Sequence, residues 1–331
     1  MFKYILKRLG YSILVLIGVS MLIYFLTRLM PINFVENKIA GITTVGAEVG
    51  EEKVKAMYEA YGLSPDASFG GIMKGYLNWL WDLFHFDLGN SFIDNMPVAG
   101  KIFKDMKVSF LIAIVATFFE FMIAIPLGIT AATHQYSLRD YIVTILVMIG
   151  ISLPSFFFGN ILRNFFSIEL GWFPAVGLHD TTRDLQGMEF ILDTVKHMVL
   201  PVLTIVILSI GARMRMTRTN MLEVMNSDYI RTARAKGLKE KVVINKHAFR
   251  NTMIPLVTSM AGLLPSLFSG AIITEQVFNL PGVGNAALTA MNQADIPFIM
   301  GYNMFLALLS VLGILMADLM YGLVDPRVKL E

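Results

Sequence analysis

Residues 228–255 read DYIRTARAKGLKEKVVINKHAFRNTMIP, a basic and polar stretch with a glycine near its middle, called the basic segment below. Apolar runs flank it at about 196–222 and 252–274, and each is long enough to cross a bilayer as a helix, which takes about 20 residues. Lys and Arg concentrate in the cytoplasmic loops of membrane proteins. The pattern therefore predicts a cytoplasmic loop between two membrane spans, shaped to dock onto a partner.

The composition of the whole chain agrees with a membrane protein. Hydrophobic residues make up 55% of it, charged residues only 16%, and the mean hydropathy is +0.63, whereas soluble domains contain about 25% charged residues. The net charge of +2 gives no indication of nucleic acid as a partner. The absence of cysteine excludes disulfides, thiol catalysis and cysteine-ligated metal sites.

Six apolar segments predict an all-α fold, a polytopic membrane helical bundle with about six transmembrane helices. They cover approximately 9–30, 107–133, 139–164, 196–222, 252–274 and 298–323. The first run follows basic residues, as in a signal peptide, but it is long and no small-x-small cleavage site follows it, so we predict an uncleaved helix. The predicted parts are a tail with the first span (1–30), an extracytoplasmic loop (31–106), a five-span core that includes the cytoplasmic loop 223–251 (107–323), and a cytoplasmic tail (324–331).

The distribution of basic residues predicts the orientation. Ten of the 27 Lys and Arg residues lie in 213–250, and the two terminal tails and the 134–140 turn carry six more. The remaining ones are spread over longer loops that also hold most of the acidic residues. Under the positive-inside rule both termini are cytoplasmic.

The loop 31–106 contains two predicted amphipathic helices. Interfacial aromatic residues favour a position of the second helix on the outer membrane surface or over the bundle. Packing within the protein is enough to explain both amphipathic helices. The functional alternative is that they form a platform for an extracellular delivery protein. Apolar side chains recur at helical spacing at Val54, Met57, Tyr58 and Tyr61, and again at Ile72, Tyr76, Trp79, Leu80 and Leu83.

Local signals divide the basic segment into an elbow of two helices. Asn226 or Ser227 can cap a helix that begins just after them, because their side chains accept hydrogen bonds from free backbone N–H groups. Gly237 can adopt the left-handed conformation that ends such a helix. A second helix then begins at about Leu238 and is broken from the next span at Pro255.

The side chains of the first helix indicate how a partner would bind. Ala233 and Ala235 are small and would let another surface approach closely, while Tyr229 and Ile230 would be anchors for a groove. The alternative is a positive loop that contacts anionic lipid head groups. The residues alone leave both interpretations open.

Several motifs resemble a known family. RTARAKGL, in the basic segment, resembles the loop with which permease subunits of binding-protein-dependent ABC importers contact their ATPases, in the oligopeptide, dipeptide and nickel permease branch. One departure is Phe86, where the family more often has glycine, which affects the local turn. The agreement continues through HAFRNTMIP and recurs in HFDLGNSF (85–92), IPLGI (125–129), SLPSFFFG (152–159), GWFPAVG (171–177), EQVFNLPGVG (275–284) and DPRV (325–328).

The resemblance implies a non-catalytic permease subunit in a bacterial or archaeal cell membrane. Its implied partners are a second, related permease subunit, one or two ATPase subunits that bind ATP and Mg²⁺, and an extracytoplasmic substrate-binding protein, while the chain itself would bind no cofactor. In agreement, no G-x-x-x-x-G-K-[ST] phosphate loop occurs in the sequence. The implied ATPase-coupling residues are Tyr229, Ile230, Arg231, Thr232, Ala233, Arg234, Ala235, Lys236 and Gly237.

The resemblance also implies di- or oligopeptides as substrates, because peptide permeases make up most of this branch. Nickel or a nickel chelate is the alternative, disfavoured by the lack of a membrane-embedded His or Cys cluster. The five histidines lie far apart, without metal-ligand spacing, and no G-x-S-x-G nucleophile elbow occurs, so neither motif indicates an enzyme. An ATP-independent channel and an intramembrane hydrolase built on Glu120 are the more distant alternatives.

Four polar residues within the predicted spans are candidates for the substrate path, namely Glu120, Asn160, Ser209 and Asn303. An ionised acid at the centre of a span costs about 2.5 kcal/mol or more unless it is paired or faces water. Glu120 would therefore either meet the ammonium end of a peptide or form a pair that holds two helices together. The three neutral residues suit a cavity lining or hydrogen bonds between helices.

Overall fold

The structure, a computed structural model, describes residues 2–29, 69–259 and 262–324, together with the separate positions 35, 36, 39 and 54. Within these residues the regular structure is helical, apart from an isolated bridge between Asn90 and Pro97. The predicted all-α class is therefore confirmed. The helices are α1 (Phe2–Arg28), α2 (Phe69–Phe84), α3 (Val98–Thr133), α4 (Leu138–Ser152), α5 (Ser155–Leu162), α6 (Gly187–Met225), α7 (Asp228–Ala235), α8 (Glu240–Val242), α9 (Phe249–Ser259), α10 (Leu263–Ser269), α11 (Ile272–Val277), α12 (Val283–Gln293) and α13 (Ile296–Val324), with π-helical continuations of α5 (Arg163–Glu169) and α8 (Val243–Ala248).

Four of the described helices are long and apolar enough to span a bilayer: α1, α3, α6 and α13. A fifth candidate is α4 together with α5 and its continuation, two pieces that meet at an angle of 101°. Pro154 lies at this bend, where its ring removes a backbone hydrogen-bond donor. The predicted span 252–274 overlaps three described helices, α9, α10 and the start of α11, so the count of six spans and the cytoplasmic termini stay predictions.

Helices α3 and α6 form the centre of the bundle and approach each other closely. At Gly128 a Cβ atom would lie 2.6 Å from the Thr217 Cβ and 2.8 Å from the Met214 carbonyl oxygen. Small residues let membrane helices approach and gain van der Waals contact. Gly128 belongs to the IPLGI motif, so helix packing explains the glycine of that motif.

The first helix is joined to the last helix and to α2. Arg8 of α1 and Asp318 of α13 form an ion pair of 3.0 Å. The Tyr76 hydroxyl of α2 lies 3.0 Å from Ser20 Oγ of α1, and the Tyr76 ring meets Tyr24 edge-on. Since Ser20 lies about 12 Å from the end of α1, α2 contacts the flank of that helix.

Helix α2 is the second of the two helices predicted for the long loop, and its predicted apolar face packs against α1 and α13. The first predicted helix lies outside the described residues, except for Val54. The turn after α2 contains Phe86, which adopts φ of +60°, in the left-handed region that favours glycine. Phe86 thus accepts a strain of about 1 kcal/mol in the backbone conformation that the more usual glycine adopts freely.

An ion pair joins α4 to α6. The Asp140 carboxylate accepts hydrogen bonds from Arg218 Nε at 2.9 Å and Nη2 at 2.8 Å, and a third from the backbone N–H of Tyr136 at 3.1 Å. The Asp140 side chain is only 6% exposed. Paired, charge-assisted hydrogen bonds of this kind are stronger than neutral ones, so this contact fixes how α4 lies on α6.

Replacing Asp140 by Asn is expected to lower the free energy of unfolding by about 2 kcal/mol, because Arg218 would keep a partly buried charge without its carboxylate partner. The thermal unfolding temperature of the detergent-solubilised protein measures the change. Asp228→Asn is the matched control, since its 3.6 Å pair with Arg231 is exposed and such pairs contribute little. Equal unfolding temperatures for the two variants would contradict the role of Asp140.

Candidate functional site

The basic segment begins with the short helix α7, which follows α6 after a turn at Asn226 and Ser227. Ser227 occupies the predicted cap position, but its hydroxyl donates to the Val224 carbonyl oxygen at 2.6 Å instead of capping α7. The helix ends at Ala235, and Gly237 has φ of +74°. The predicted left-handed end of the helix is therefore present, because glycine adopts this conformation without a Cβ clash.

The inner face of α7 is attached to the bundle. Ile230 is fully buried and Ala233 is 6% exposed, and both belong to a cluster with side chains of α3, α6 and the π-helix. This differs from the expectation that Ile230 would be an exposed anchor and that Ala233 would face a partner. The physical reason is the length of α7, since an eight-residue helix is marginal in water and needs tertiary packing. The other members of the cluster include Ala132, Met221, Val243 and Ala248.

The outer face of α7 is open to solvent. It consists of Tyr229, which is 47% exposed, and of the exposed residues Asp228, Arg231, Thr232, Arg234 and Ala235, and the exposed Lys236 follows directly after the helix. The face is positively charged and carries one aromatic ring. A partner with acidic groups around an apolar groove would complement it.

Arg234 also closes the elbow between α7 and α8. Its Nε and Nη2 atoms donate to the Glu240 carboxylate at 3.2 and 2.7 Å. The hydrogen bond from Arg234 lowers the pKa of Glu240 below its usual value of 4.5. A carboxylate with a lowered pKa stabilises the fold above its unfolded pKa and loses this effect as pH falls through the folded value, so the pair is intact at neutral pH.

The second half of the basic segment is helical from Glu240 onward, with Lys239 in the cap position. The expected break at Pro255 is wrong, because Pro255 lies inside α9, which continues to Ser259. A proline inside a helix removes one hydrogen bond and bends the helix without always ending it. The change of helical type lies earlier, at the π-helix Val243–Ala248.

Among the four predicted path residues, Glu120 has a charged partner. Its Oε1 accepts a hydrogen bond from Arg213 Nε at 3.0 Å, which joins α3 to α6, and the Arg213 guanidinium lies 4.5 Å from the centre of the Phe121 ring. In this structure Glu120 therefore forms the pair that holds two helices together. Arg213, counted with the cytoplasmic loop in the sequence, points into the bundle instead.

The other three predicted path residues bond to their own helices. Asn160 donates to the Phe156 carbonyl oxygen at 2.8 Å, Ser209 to that of Val206 at 3.2 Å, and Asn303 to that of Ile299 at 2.7 Å. Within the described residues, no hydrogen bond brings the four together. Their role in a substrate path stays a prediction.

Besides Asp140, two further buried carboxylates were not predicted from the sequence. Asp295 is fully buried and accepts hydrogen bonds from Ser91 Oγ at 2.5 Å and from the Phe92 backbone N–H at 2.9 Å. Glu275 is 2% exposed and lies within the EQVFNLPGVG motif. The glycines near it in the sequence were the available signal, because a Cβ atom at Gly282 or Gly284 would collide with the carboxylate.

Comparison with known proteins shows which family this chain is similar to. Residues 124–330 match the family of the binding-protein-dependent transport system inner membrane component. The oligopeptide transport system permease protein AppB of Bacillus subtilis is 34% identical over 99% of this chain and 100% of its own length. The dipeptide transport system permease protein DppB of Escherichia coli K12 is 31% identical over 99% of both chains.

The fold is also similar to a solved structure, a chain of the methionine ABC transporter MetNI in inward-facing conformations. The TM-score is 0.50 with 16% sequence identity, and the match covers 68% of this chain and 96% of the other. The family assignment rests on two relatives that match over nearly their full length. A family model that covers more than half of the chain gives the same assignment. The chain therefore belongs to the family of inner-membrane components of binding-protein-dependent transport systems, as a multi-pass permease subunit of an ABC importer.

Proposed function

We propose that this chain is the permease subunit of an importer of di- or oligopeptides. The observation that supports the proposal is its 34% identity with an oligopeptide transport permease along 99% of the chain. The nickel alternative has no relative of comparable similarity among those described above. The chain would act in the cytoplasmic membrane of a bacterium or archaeon beside a second, related permease subunit.

The energy would come from separate ATPase subunits that bind ATP and Mg²⁺, and this chain would bind no cofactor and catalyse no reaction. A substrate-binding protein would deliver the peptide on the extracytoplasmic side. ATP binding would shift the bundle between inward-facing and outward-facing forms. Such a shift requires that the ATPase contact the permease differently in the two forms, because a partner with equal affinity for both shifts nothing.

The contact with the ATPase would be made by α7 and the elbow up to Gly237. The exposed cationic and aromatic face of α7 supports this assignment, and so does the attachment of its inner face to α3 and α6 through Ile230 and Ala233. In this arrangement Tyr229, Arg231 and Arg234 would contact the partner. Ile230 would transmit the movement of α7 to the bundle.

Uptake of labelled substrate tests the proposed function. A strain that lacks this chain is compared with the same strain carrying it on a plasmid, with a labelled dipeptide, a labelled longer peptide and nickel as three separate substrates. We expect ATP-dependent uptake of at least one peptide to return. Restored uptake of nickel alone would contradict the peptide assignment, and uptake that persists without ATP would contradict the importer mechanism.

Replacing Gly237 by Val is expected to abolish transport while membrane insertion stays normal. Gly237 has φ of +74°, and a Cβ atom added there would meet no neighbouring atom within 4 Å. The substitution therefore acts through backbone strain of about 1–2 kcal/mol and not through a clash. The measurement is peptide uptake at equal amounts of inserted protein.

Gly187→Val is the matched control for this experiment. Gly187 also has a positive φ, +56°, with nothing within 4 Å, but it lies at the start of α6, at the other end of that helix from α7. Its replacement should leave most of the transport intact. Normal uptake by the Gly237 variant would show that the elbow is not the coupling element.

Cross-linking tests the contact face directly, because the chain has no cysteine of its own. A cysteine in place of Tyr229 or Arg231 is expected to form a cross-link with the ATPase in native membranes. A cysteine in place of Ile230 should not, since that side chain is fully buried. Failure of both exposed positions to capture the ATPase, or equal capture at Ile230, would contradict the proposed contact.

A further inference from the structure

The carboxylate of Glu275 lies in a site that is closed on all sides by this chain. Oε1 accepts hydrogen bonds from Ser109 Oγ at 2.6 Å and from the Ala271 backbone N–H at 3.2 Å, and Oε2 accepts one from the Asn285 N–H at 2.8 Å. The residue is 2% exposed. Both oxygens are therefore satisfied by hydrogen bonds without water.

Three glycines make room for this carboxylate. A Cβ atom at Gly270 would lie 2.7 Å from Glu275 Oε1, one at Gly284 would lie 2.9 Å from Oε2, and one at Gly282 would overlap the carboxylate. Gly270 also has φ of +75°, which favours glycine. The backbone before α11 and at the start of α12 is thus wrapped around the side chain of one residue.

Ser109 connects this site to α3. Its Oγ donates to Glu275 and accepts the backbone N–H of Val283 at 2.9 Å, so a single hydroxyl bonds to both ends of the turn between α11 and α12. Ser109 is 2% exposed and lies on the buried stripe of α3 that also includes Ile112 and Glu120. The segment Ile272–Gln293, called the outer segment, is therefore attached to α3 through a buried polar contact.

The same helix reaches the coupling end of the protein. Ala132 of α3 packs in the cluster that holds α7, and Ser109 lies 23 positions earlier, about 35 Å along the helix. Between them, the pair of Glu120 with Arg213 fastens α3 to α6. Helix α3 thus bridges the basic segment and the outer segment, which the predicted orientation places on opposite sides of the bilayer.

We propose that Ser109 and Glu275 are positioning residues that make α3 and the outer segment move as one body during transport. The inference rests on the proposed function, because it assigns the route by which movement at α7 reaches the extracytoplasmic side. A hydroxyl held by a fully hydrogen-bonded carboxylate is a stiff connection, since its rupture would leave the buried Ser109 hydroxyl and the Val283 N–H without partners.

Ser109→Ala tests the connection in the complete transporter reconstituted in liposomes. It removes both hydrogen bonds that the α3 hydroxyl makes, while the apolar packing of Val98 and Ile102 against α12 stays and the backbone N–H groups of Ala271 and Asn285 continue to hold the carboxylate. We expect ATP hydrolysis to stay within about twofold of the parent value while peptide transported per ATP falls about tenfold, as for the loss of a typical coupling between sites.

Two further variants serve as controls. Ser310→Ala removes a hydroxyl that bonds within α13, to the Leu306 carbonyl oxygen at 2.8 Å, and should leave transport per ATP unchanged. Ser109→Thr keeps the hydroxyl and should restore transport per ATP relative to Ser109→Ala. An unchanged ratio in Ser109→Ala, or a parallel loss of hydrolysis and transport, would overturn the proposal.

A distance measurement supports or overturns the proposal without relying on activity. Spin labels on cysteines at the exposed positions Phe103 of α3 and Met291 of α12 report the separation of the two bodies. With Ser109 present, we expect the same distance in the nucleotide-free and ATP-bound complexes, and in Ser109→Ala two different or broadened distances. A distance that changes between the two states with Ser109 present would overturn the proposal.

These outcomes also separate the inference from the proposed function. If the parent complex transports no peptide under any condition, the peptide assignment fails, while the spin-label distances still test the connection. If the parent complex transports peptide and Ser109→Ala matches it in both readouts, the connection alone fails.

Discussion

Hydrocarbon offers no hydrogen-bond partner, so a helical bundle in a bilayer must satisfy its buried polar groups within the protein. In the described part of this chain, several charged groups are paired by contacts between helices distant in sequence. Asp140 pairs with Arg218, Glu120 with Arg213, and Arg8 with Asp318. Each contact joins two helices at a fixed position along their lengths. Together with the close packing of α3 on α6, these contacts fix the arrangement of the helices.

These contacts connect α7 to the central helices of the bundle. Helix α7 is too short to stand alone and is held by a small apolar cluster, so it presents one face to solvent and fixes the other to α3 and α6. Helix α3 connects this cluster, past the Glu120 pair, to Ser109. A partner that pulls on α7 would act on the whole central pair of helices, because close-packed helices transmit displacement with little deformation.

The structure gives a physical reason for several of the motifs that this chain shares with its family. The glycine of IPLGI allows α3 to approach α6. The glycines of EQVFNLPGVG make room for the Glu275 carboxylate. Phe86 replaces a frequent glycine and accepts the left-handed backbone that the glycine would adopt freely. In each case a motif records a local geometric requirement, and a ligand is not needed to account for it.

The sequence by itself determined the features that depend on neighbours along the chain. The helical class, the apolar face of α2, the position of α7 and its end at Gly237 all follow from periodicity and capping signals that span a few residues. The motifs added the family. The number of spans was harder to predict from the sequence, because the segment 252–274 has the composition of one span but overlaps three helices in the part of the chain that the structure describes.

Only the tertiary structure decided which side chains meet. It turned Ile230 inward, placed Arg213 against Glu120, 93 positions away, and brought Ser109 to Glu275, 166 positions away. Pro255, where the sequence predicted a break, likewise lies inside α9, which continues past it. Such contacts depend on how helices pack in three dimensions, and a pattern along one chain segment carries no information about the partner that faces it.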